Sequence, residues 1–429
     1  MVNRSNRKIK YVFENGEIKL NNILKMDINK KCTGCRACES ICPKNSIKFI
    51  ENEEGFLVPS VDENTCINCG ICYNKCPQLN DVKIESSYKL CNTEVYASKV
   101  KDKSILLESS SGGIFTAIAI KVLENDGVVF GCAFDKNFYA RHIGIKQIDE
   151  LIKLRGSKYV QSDTMKTFLE VKEYLKKNIT VLYVGTPCEI AGLRAFLNNK
   201  YNNLITIDLI CHGVPSPKLF AEYIKNFEFK NNEKLKKYDF RYKGKIGFGK
   251  CNRIITDKKI RTFVYQCDYY YKSFNDEVNY RECCYECKYT NTNRIGDITL
   301  GDYWGYELLH PEVDSSMGIS VVLINSIKGK NIFDGIKNTS LITYNSTLEE
   351  ATCKQYSLKK SAKRPKSRDG FYKDLNIIGY EKTMKKYIKI KNIVINSILL
   401  KINKNMRGKI RRLRNRIKKY VLTVEVKKR

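Results

Sequence analysis

Two cysteine runs near the start of the chain restrict its possible folds more than any other feature. The first run has cysteines at positions 32, 35, 38 and 42 and a proline at 43; the second has them at 66, 69, 72 and 76 and a proline at 77. Three thiolates spaced in this way surround one corner of a cubane 4Fe-4S cluster, while the fourth, beside the proline, binds the neighbouring cluster. The spacing therefore assigns one cluster to Cys32, Cys35, Cys38 and Cys76 and the other to Cys66, Cys69, Cys72 and Cys42.

Two other uses of cysteine fit these runs less well. A zinc ribbon also has paired C-x-x-C motifs, but it needs only four thiolates per metal and has no use for the repeated third cysteine and Cys-Pro. A disulfide framework requires an oxidising compartment, and the charged start of the chain lacks the apolar core of a signal peptide. We therefore expect a cytoplasmic, electron-carrying protein with an α+β dicluster ferredoxin module over residues 22–88.

The rest of the 429-residue chain is long enough for at least one further domain. After a polar linker, with a boundary near Cys91, short apolar runs alternate with helical patterns over residues 92–345. The apolar runs show no polar alternation, which indicates a sheet covered by helices on both faces. We predict an α/β domain with a mixed sheet, whose clearest strands are GVVFGCAFD, VLYVG and LITIDLIC. No run reaches the ~20 apolar residues that span a bilayer.

Four cysteines outside the module form a second candidate metal site. Cys188 and Cys211 each follow the carboxyl end of an apolar strand, and such ends gather at one edge of an α/β sheet. Cys284 and Cys287 add a C-x-x-C motif, although Cys283 leaves its register open. Four thiolates suit a third 4Fe-4S cluster or a structural zinc ion. Small buried apolar residues are the interpretation for Cys91, Cys132, Cys251, Cys267 and Cys353.

Five segments of this region follow one another in a recognisable order. They are SSSGG at 109–113, LRGSKYVQSD at 154–163, VGTPCEIAGLR at 184–194, DLICHGVPSP at 208–217 and CCYECKYTNTNRIGDITLGDYWG at 283–305. Together they resemble the successive motifs of the coenzyme F-420 hydrogenase/dehydrogenase beta-subunit family, over about residues 92–345. The resemblance implies a flavin, expected as FAD, that exchanges electrons with 4Fe-4S clusters and with an acceptor such as the deazaflavin coenzyme F-420. It also implies that Cys188, Cys211, Cys284 and Cys287 hold a cluster beside the flavin.

Two segments are candidates for holding the flavin. Ser109, Ser110, Ser111, Gly112 and Gly113 precede a helix and offer hydroxyls and backbone N–H groups to a pyrophosphate. Arg155, Ser157, Lys158 and Tyr159 add two cations and an aromatic ring, which suit phosphate and a flavin or deazaflavin ring. Taken without the resemblance, the same segments are explained as well by an ordinary helix cap and a solvated turn.

Two residues are candidates for the chemistry itself. His212, beside Cys211 at a strand end, is a candidate proton donor to reduced flavin or substrate, with a structural histidine as the alternative. Asp302, in the turn after a strand, could orient the substrate or simply form the turn.

Residues 346–429 are predicted to form a basic helical extension. Lys and Arg outnumber Asp and Glu by 77 to 46 in the whole chain, and residues 381–429 alone hold 18 basic residues against two acids. From Ile395 to Val421 an apolar residue recurs every three or four positions, which is typical of an amphipathic helix. Such a helix suits an anionic membrane surface or an acidic partner, and a solvated helix packed on its own domain is the alternative. No recognised motif supports nucleic-acid binding.

These features together predict an iron-sulfur flavoprotein oxidoreductase. Electrons would pass between the ferredoxin clusters, a third cluster and a flavin that exchanges hydride with coenzyme F-420 or another soluble substrate. A redox partner protein or a soluble carrier is the expected electron donor. The alternative is a pure electron-transfer subunit that feeds a partner enzyme and has no substrate site of its own. Similar bacterial proteins also suggest a role in surface-polysaccharide biosynthesis.

Overall fold

The structure is a computed structural model that describes residues 12–14, 17–19, 21–83, 89–198, 201–244 and 247–391. Its strands are β1 (Val12–Glu14), β2 (Glu17–Lys19), β3 (Ile47–Glu51), β4 (Leu57–Val61), β5 (Lys89–Val100), β6 (Val128–Phe134), β7 (Ala140–Ile145), β8 (Val181–Gly185), β9 (Leu204–Leu209), β10 (Leu235–Asp239), β11 (Cys251–Thr256), β12 (Ile260–Val264), β13 (Ile298–Asp302), β14 (Ser320–Ser326) and β15 (Leu341–Ser346). Its α-helices are α1 (Ile28–Lys31), α2 (Ala37–Ile41), α3 (Ile71–Asn74), α4 (Lys103–Glu108), α5 (Ile114–Leu123), α6 (Leu151–Leu154), α7 (Thr167–Lys176), α8 (Pro187–Leu197), α9 (Pro217–Asn231), α10 (Tyr269–Asn275), α11 (Tyr306–Leu309), α12 (Ile327–Lys337), α13 (Leu348–Cys353) and α14 (Arg368–Tyr387).

The predicted α+β ferredoxin module is confirmed. It consists of the short helices α1, α2 and α3 and the antiparallel hairpin of β3 and β4. Its cysteine turns depend on glycine, because Gly34 and Gly70 have φ angles of 77° and 75°. The Gly34 N–H donates to the Cys32 sulfur at 3.3 Å. The turns therefore direct backbone donors toward the thiols.

The predicted mixed sheet is also confirmed. Eight strands lie in the order β15-β5-β14-β13-β9-β8-β6-β7. The neighbouring pairs among β6, β8, β9 and β13 are parallel, and the outer pairs are antiparallel. Strands β8 and β14 are buried along their whole length, which explains the absence of polar alternation in their sequences. The carboxyl ends of β8, β9 and β13 meet at one edge, which is where the candidate site lies.

Two parts of the α/β region differ from what the sequence pattern indicated. Strand β5 begins at Lys89, just before the predicted boundary near Cys91. Strands β10, β11 and β12 form a separate antiparallel sheet, which is not among the predicted strands. This sheet is held by aromatic packing, since Tyr238 of β10 is buried and meets the ring of Phe220 on α9 at 5.4 Å.

A C-terminal helix, α14, follows the sheet and is kinked at Gly379, where φ is 76°. The predicted amphipathic stripe from Ile395 to Val421 lies outside the described residues. Among the helices that the structure describes, none is both long and apolar enough to cross a membrane.

Candidate functional site

The eight thiols of the ferredoxin module lie in two groups, and each group combines the two cysteine runs. In the inner group, the thiols of Cys35 and Cys38 both have those of Cys32 and Cys76 as electrostatic neighbours. In the outer group, Cys42 lines one small pocket with three cysteines of the second run, Cys66, Cys69 and Cys72. This grouping fits the crossed assignment that the spacing predicts.

The two groups differ in their access to water. All four thiols of the inner group are buried, whereas Cys69 of the outer group is exposed. Burial, reinforced by the Cys76 thiol, raises the pKa of Cys35 to about 12, and burial raises the pKa of Cys72 to about 11. Both thiols are therefore protonated at neutral pH, and a metal has to displace their protons when it binds.

Within the described residues, no three His, Cys, Asp or Glu side chains converge closely enough to hold one metal ion. A cubane binds each thiolate to a different iron, so its ligands surround a volume, as thiols that line a pocket do.

A third group of thiols lies at the carboxyl edge of the parallel strands. Cys188, Cys211, Cys284 and Cys287 line one cavity of about 160 Å³, and Cys283 lines it with them. Cys188 lies in the first turn of α8, after β8, and Cys211 lies two residues beyond the end of β9. The structure thus brings together the four cysteines that the sequence predicts as ligands of a third site.

The sequence around Cys188 explains why α8 begins there. Thr186 and Glu189 form a capping box, and Pro187 occupies the first turn. The Thr186 hydroxyl lies 3.1 Å from the Cys188 sulfur. The positive end of the helix dipole is therefore placed beside Cys188, where it stabilises a thiolate or an anionic cluster.

The inner group and the third group are close neighbours. The Cys35 sulfur packs against α8 so tightly that a Cβ on Gly192 would lie 2.8 Å from it. Arg281 donates from Nε to the Cys32 carbonyl at 2.6 Å. Tyr289 borders both groups: burial, together with thiols that include Cys188 and Cys35, raises its pKa. Few side chains therefore separate the two groups.

A second cavity, of about 280 Å³, adjoins the third group. We call it the polar cavity, after the serine, lysine, arginine and histidine side chains in its wall. It shares part of its wall with the cysteine cavity, including Thr186, Cys211 and His212. Both predicted flavin segments line it, through Ser109, Ser110, Ser111, Gly113, Arg155, Ser157, Lys158 and Tyr159. The structure therefore places the predicted flavin residues directly beside the third group.

The two flavin segments are joined by hydrogen bonds. The Ser110 hydroxyl accepts from the Ser157 N–H at 2.8 Å and meets its hydroxyl at 2.9 Å. Gly112 has no room for a side chain, because a Cβ would lie 2.3 Å from the Ser98 carbonyl oxygen. Gly113 has a φ of 84° and leads into α5, whose first residues line the cavity. The N–H groups of a first helical turn have no carbonyl partner within the helix, so they suit an anion such as phosphate.

A buried lysine that the sequence analysis did not single out holds this loop. Lys243 is 1% exposed and donates to the carbonyls of Leu106, at 2.7 Å, and Ser111. Burial, with Arg241 nearby, lowers the pKa of Lys243 to about 7. Lys158 has a similar local role, because its ammonium group donates to the carbonyls that end α6, including that of Arg155 at 2.9 Å. Burial lowers the pKa of Lys158 to about 8.

His212 and Asp302 both line the polar cavity. The Tyr280 hydroxyl donates to the Phe274 carbonyl at 2.8 Å, so it accepts from His212 Nδ1 at 2.9 Å. The hydrogen-bond network therefore assigns the Nδ1–H tautomer and leaves a lone pair on Nε2. The loss of hydration among the surrounding protein atoms lowers the pKa of His212 to about 4, and the positive charge of Lys250 adds to this effect. The residue nevertheless remains accessible from the cavity.

Asp302 is paired rather than free in this wall. The Asp302 carboxylate lies 2.5 Å from Arg241 Nη1, and the Arg241 side chain is 4% exposed. The Arg241 guanidinium packs against the rings of Phe248 and Trp304, at 5.0 and 5.4 Å. Asp302 therefore fixes a rigid cationic and aromatic wall of the cavity.

Comparisons with known proteins identify the family. The profile of the coenzyme F-420 hydrogenase/dehydrogenase beta-subunit N-terminal part matches residues 95–168, and that of its C-terminal part matches residues 179–350. The 4Fe-4S dicluster domain matches residues 31–80. The chain belongs to the coenzyme F-420 hydrogenase/dehydrogenase beta-subunit family. With its dicluster domain, this family member is an iron-sulfur oxidoreductase subunit.

Individual relatives of this beta-subunit family member match to different extents. An uncharacterized protein of Methanocaldococcus jannaschii is 24% identical over 368 residues, which are 77% of this chain and 93% of that protein. The coenzyme F-420-dependent sulfite reductase of the same organism is 27% identical over 251 residues, or 54% of this chain and 37% of that enzyme. A solved structure of the F-420-reducing nickel-iron hydrogenase complex from Methanosarcina barkeri has a TM-score of 0.40 at 18% identity, covering 70% of this chain and 91% of that one.

Several residues around the beta-subunit site were missed by sequence reasoning. Arg241 and Lys243 follow β10 and lie outside every motif of the family resemblance. Tyr280, Arg281 and Tyr289 flank the C-x-x-C motif but are ordinary residue types there. Their contacts are long-range in sequence, so no local signal could have revealed them.

Proposed function

We propose that this protein passes electrons from the outer group of thiols, through the inner and third groups, to a flavin in the polar cavity. The observation that carries the proposal is the serial arrangement of the four sites. The outer group has an exposed thiol, and the inner group packs against α8 at Gly192. The cavity lined by the third group shares Cys211 and Thr186 with the polar cavity. Each group of thiols would hold a 4Fe-4S cluster, and the polar cavity would hold FAD.

The protein's own residues have defined tasks in this scheme. A bound flavin would supply the conversion between one-electron and two-electron transfer. The first turn of α5 and the loop from Ser109 to Gly113 would hold its phosphates. His212, neutral and with its lone pair on Nε2, is placed to accept or donate a proton in the cavity. The Arg241 and Asp302 pair keeps that wall in place.

Coenzyme F-420 is the first candidate for the soluble hydride carrier. It is named in the family whose profiles match this chain and in the sulfite reductase to which the chain is similar. A partner protein or a soluble carrier would reduce the outer group, in the cytoplasm. A role in surface-polysaccharide biosynthesis would instead require another acceptor in the same cavity.

The alternative is an electron-transfer subunit without a substrate site. Anaerobic reconstitution with iron, sulfide and FAD distinguishes the two functions. We expect about twelve irons per chain, the load of three 4Fe-4S clusters, together with a bound flavin spectrum and reversible reduction of coenzyme F-420. Iron without flavin would favour the subunit, and about four irons or fewer would contradict both.

A further inference from the structure

Arg368, the first residue of α14, is almost completely buried, and all three nitrogens of its guanidinium group make polar contacts. The side chain is 2% exposed. It forms a two-point pair with Glu54, with Nη1 2.7 Å from Oε1 and Nη2 2.6 Å from Oε2. Nη1 also lies 3.1 Å from a carboxylate oxygen of Glu282, and Nε donates to the Tyr280 carbonyl at 3.1 Å. A planar fork is needed for this pattern, because an ammonium group cannot reproduce it.

The partners of Arg368 come from different parts of the molecule. Glu54 lies in the turn between β3 and β4, within the ferredoxin module. Glu282 opens the 3-10 turn Glu282–Cys284, which leads into the third group of thiols. Tyr280 holds His212 through its hydroxyl. One buried side chain therefore connects the module to the cysteine turn and to the wall of the polar cavity.

Other contacts hold the same hairpin in place. The Asn376 side chain on α14 donates to the Glu53 carbonyl at 3.0 Å. Gly55 packs so closely on α9 that a Cβ there would lie 2.2 Å from the Cβ of Lys218. Arg281, next to Glu282, donates to the Leu57 carbonyl at 3.0 Å. The hairpin is therefore clamped between two helices and the cysteine turn.

We propose that Arg368 is a positioning residue that sets the separation between the inner and the third groups of thiols. The inference rests on the proposed function and extends it. Electron tunnelling slows exponentially with distance, so a small shift of the module would reduce the transfer rate. Without Arg368, the half-buried carboxylates of Glu54 and Glu282 would repel each other, which would push the hairpin away from the turn.

The test compares Arg368→Lys and Glu54→Gln with Lys366→Gln as a matched control. Lys366→Gln changes an exposed cation two residues before Arg368, just before α14 begins. In full-length reconstituted protein we would measure iron content, magnetic coupling between reduced clusters, and the rate of electron transfer from the module after photoreduction. Hydrogen exchange over residues 47–61 reports on the hairpin itself.

We expect Arg368→Lys and Glu54→Gln to keep the iron content of the wild type, weaken the magnetic coupling and exchange faster in the hairpin. Their transfer rate should fall about tenfold or more, as it does when reacting groups are misplaced. The control should match the wild type in all measurements. Unchanged rates and coupling with intact iron would overturn the proposal, as would loss of iron in both variants. A wild type without a third cluster would instead overturn the proposed function.

Discussion

At the scale of single residues, each module site depends on one cysteine from the other run. Cys42 completes the outer group and Cys76 completes the inner group. The two sites are therefore interlocked, and neither run can form its site alone. Ligands shared in this way would tie the two short runs and the hairpin between them together.

Replacing Cys42 by alanine should damage the outer site and spare the inner one. We expect the loss of about four irons, because a cubane needs its full ligand set, and a loss of the corresponding spectrum. Iron analysis and electron paramagnetic resonance of the reduced protein would measure this. Cys91→Ala is the control, since Cys91 lies outside the three groups and, like Cys353, is exposed, contrary to the predicted burial. Loss of the inner-site spectrum would contradict the crossed grouping.

Lys243 should affect both flavin binding and the pH dependence of stability. Burial lowers its pKa from the usual 10.5 to about 7, so between these pH values the unfolded chain binds more protons than the folded chain. The Lys243 contribution to the free energy of unfolding therefore rises as the pH increases from 7 to 10.

Lys243→Met should reduce this rise, and it should weaken flavin binding about tenfold, since the Ser/Gly loop loses hydrogen bonds worth ~1 kcal/mol each. Denaturant titrations at pH 7 and 9 and flavin fluorescence titrations would measure the two effects. Lys136 is exposed, so Lys136→Met is the control and should leave the pH dependence of stability and the flavin affinity at wild-type values. Identical pH slopes in the wild type and Lys243→Met would refute the assignment.

At the scale of elements, the sequence predicted best where the local pattern decides the structure. The apolar runs at β8 and β9 and the Ser/Gly loop before α5 are local signals, and the structure has those elements. The sheet of β10, β11 and β12 depends on contacts with α9, which no window of the sequence reveals. The cysteines were identified because their spacing is a local pattern. Arg241, Lys243 and Arg368 were not, because their contacts join distant parts of the chain.

Gly192→Ala should disturb the contact between α8 and the ferredoxin module. The new Cβ would lie 2.8 Å from the Cys35 sulfur and 2.9 Å from its Cβ. Overpacking of this kind lowers the free energy of unfolding by about 1–3 kcal/mol, and here it should also lower iron in the inner site.

Gly335→Ala in α12 is the matched control. It has open space around it, so alanine there should be neutral or stabilise the helix by up to ~1 kcal/mol. Denaturant unfolding and iron analysis compare the two variants. Equal effects at the two glycines would show that the contact with Cys35 is unimportant.

At the scale of the whole molecule, the cysteine sites and the basic extension are separated along the chain. Every predicted ligand precedes residue 288, while residues 381–429 hold 18 basic residues against two acids. The predicted redox function and the predicted attachment to an anionic surface should therefore be separable.

Truncation after Lys389 should leave iron content and flavin binding unchanged and should abolish salt-sensitive binding to anionic lipid vesicles. Each basic residue near such a surface contributes about 1 kcal/mol, and salt screens this attraction. Co-sedimentation at low and high salt measures it, with neutral vesicles as the control. If the intact protein ignores anionic vesicles at low salt, the membrane interpretation is wrong.

The different exposure of the two module sites has a consequence for damage by oxygen. Cys69 is open to solvent, whereas the four thiols of the inner group are buried. Oxidants in solution therefore reach the outer site first, because susceptibility follows accessibility. A preparation exposed briefly to air would lose the proposed electron entry while the sites nearer the polar cavity survive. Small dyes that reach the polar cavity directly would then still restore turnover that a donor to the outer site no longer supports.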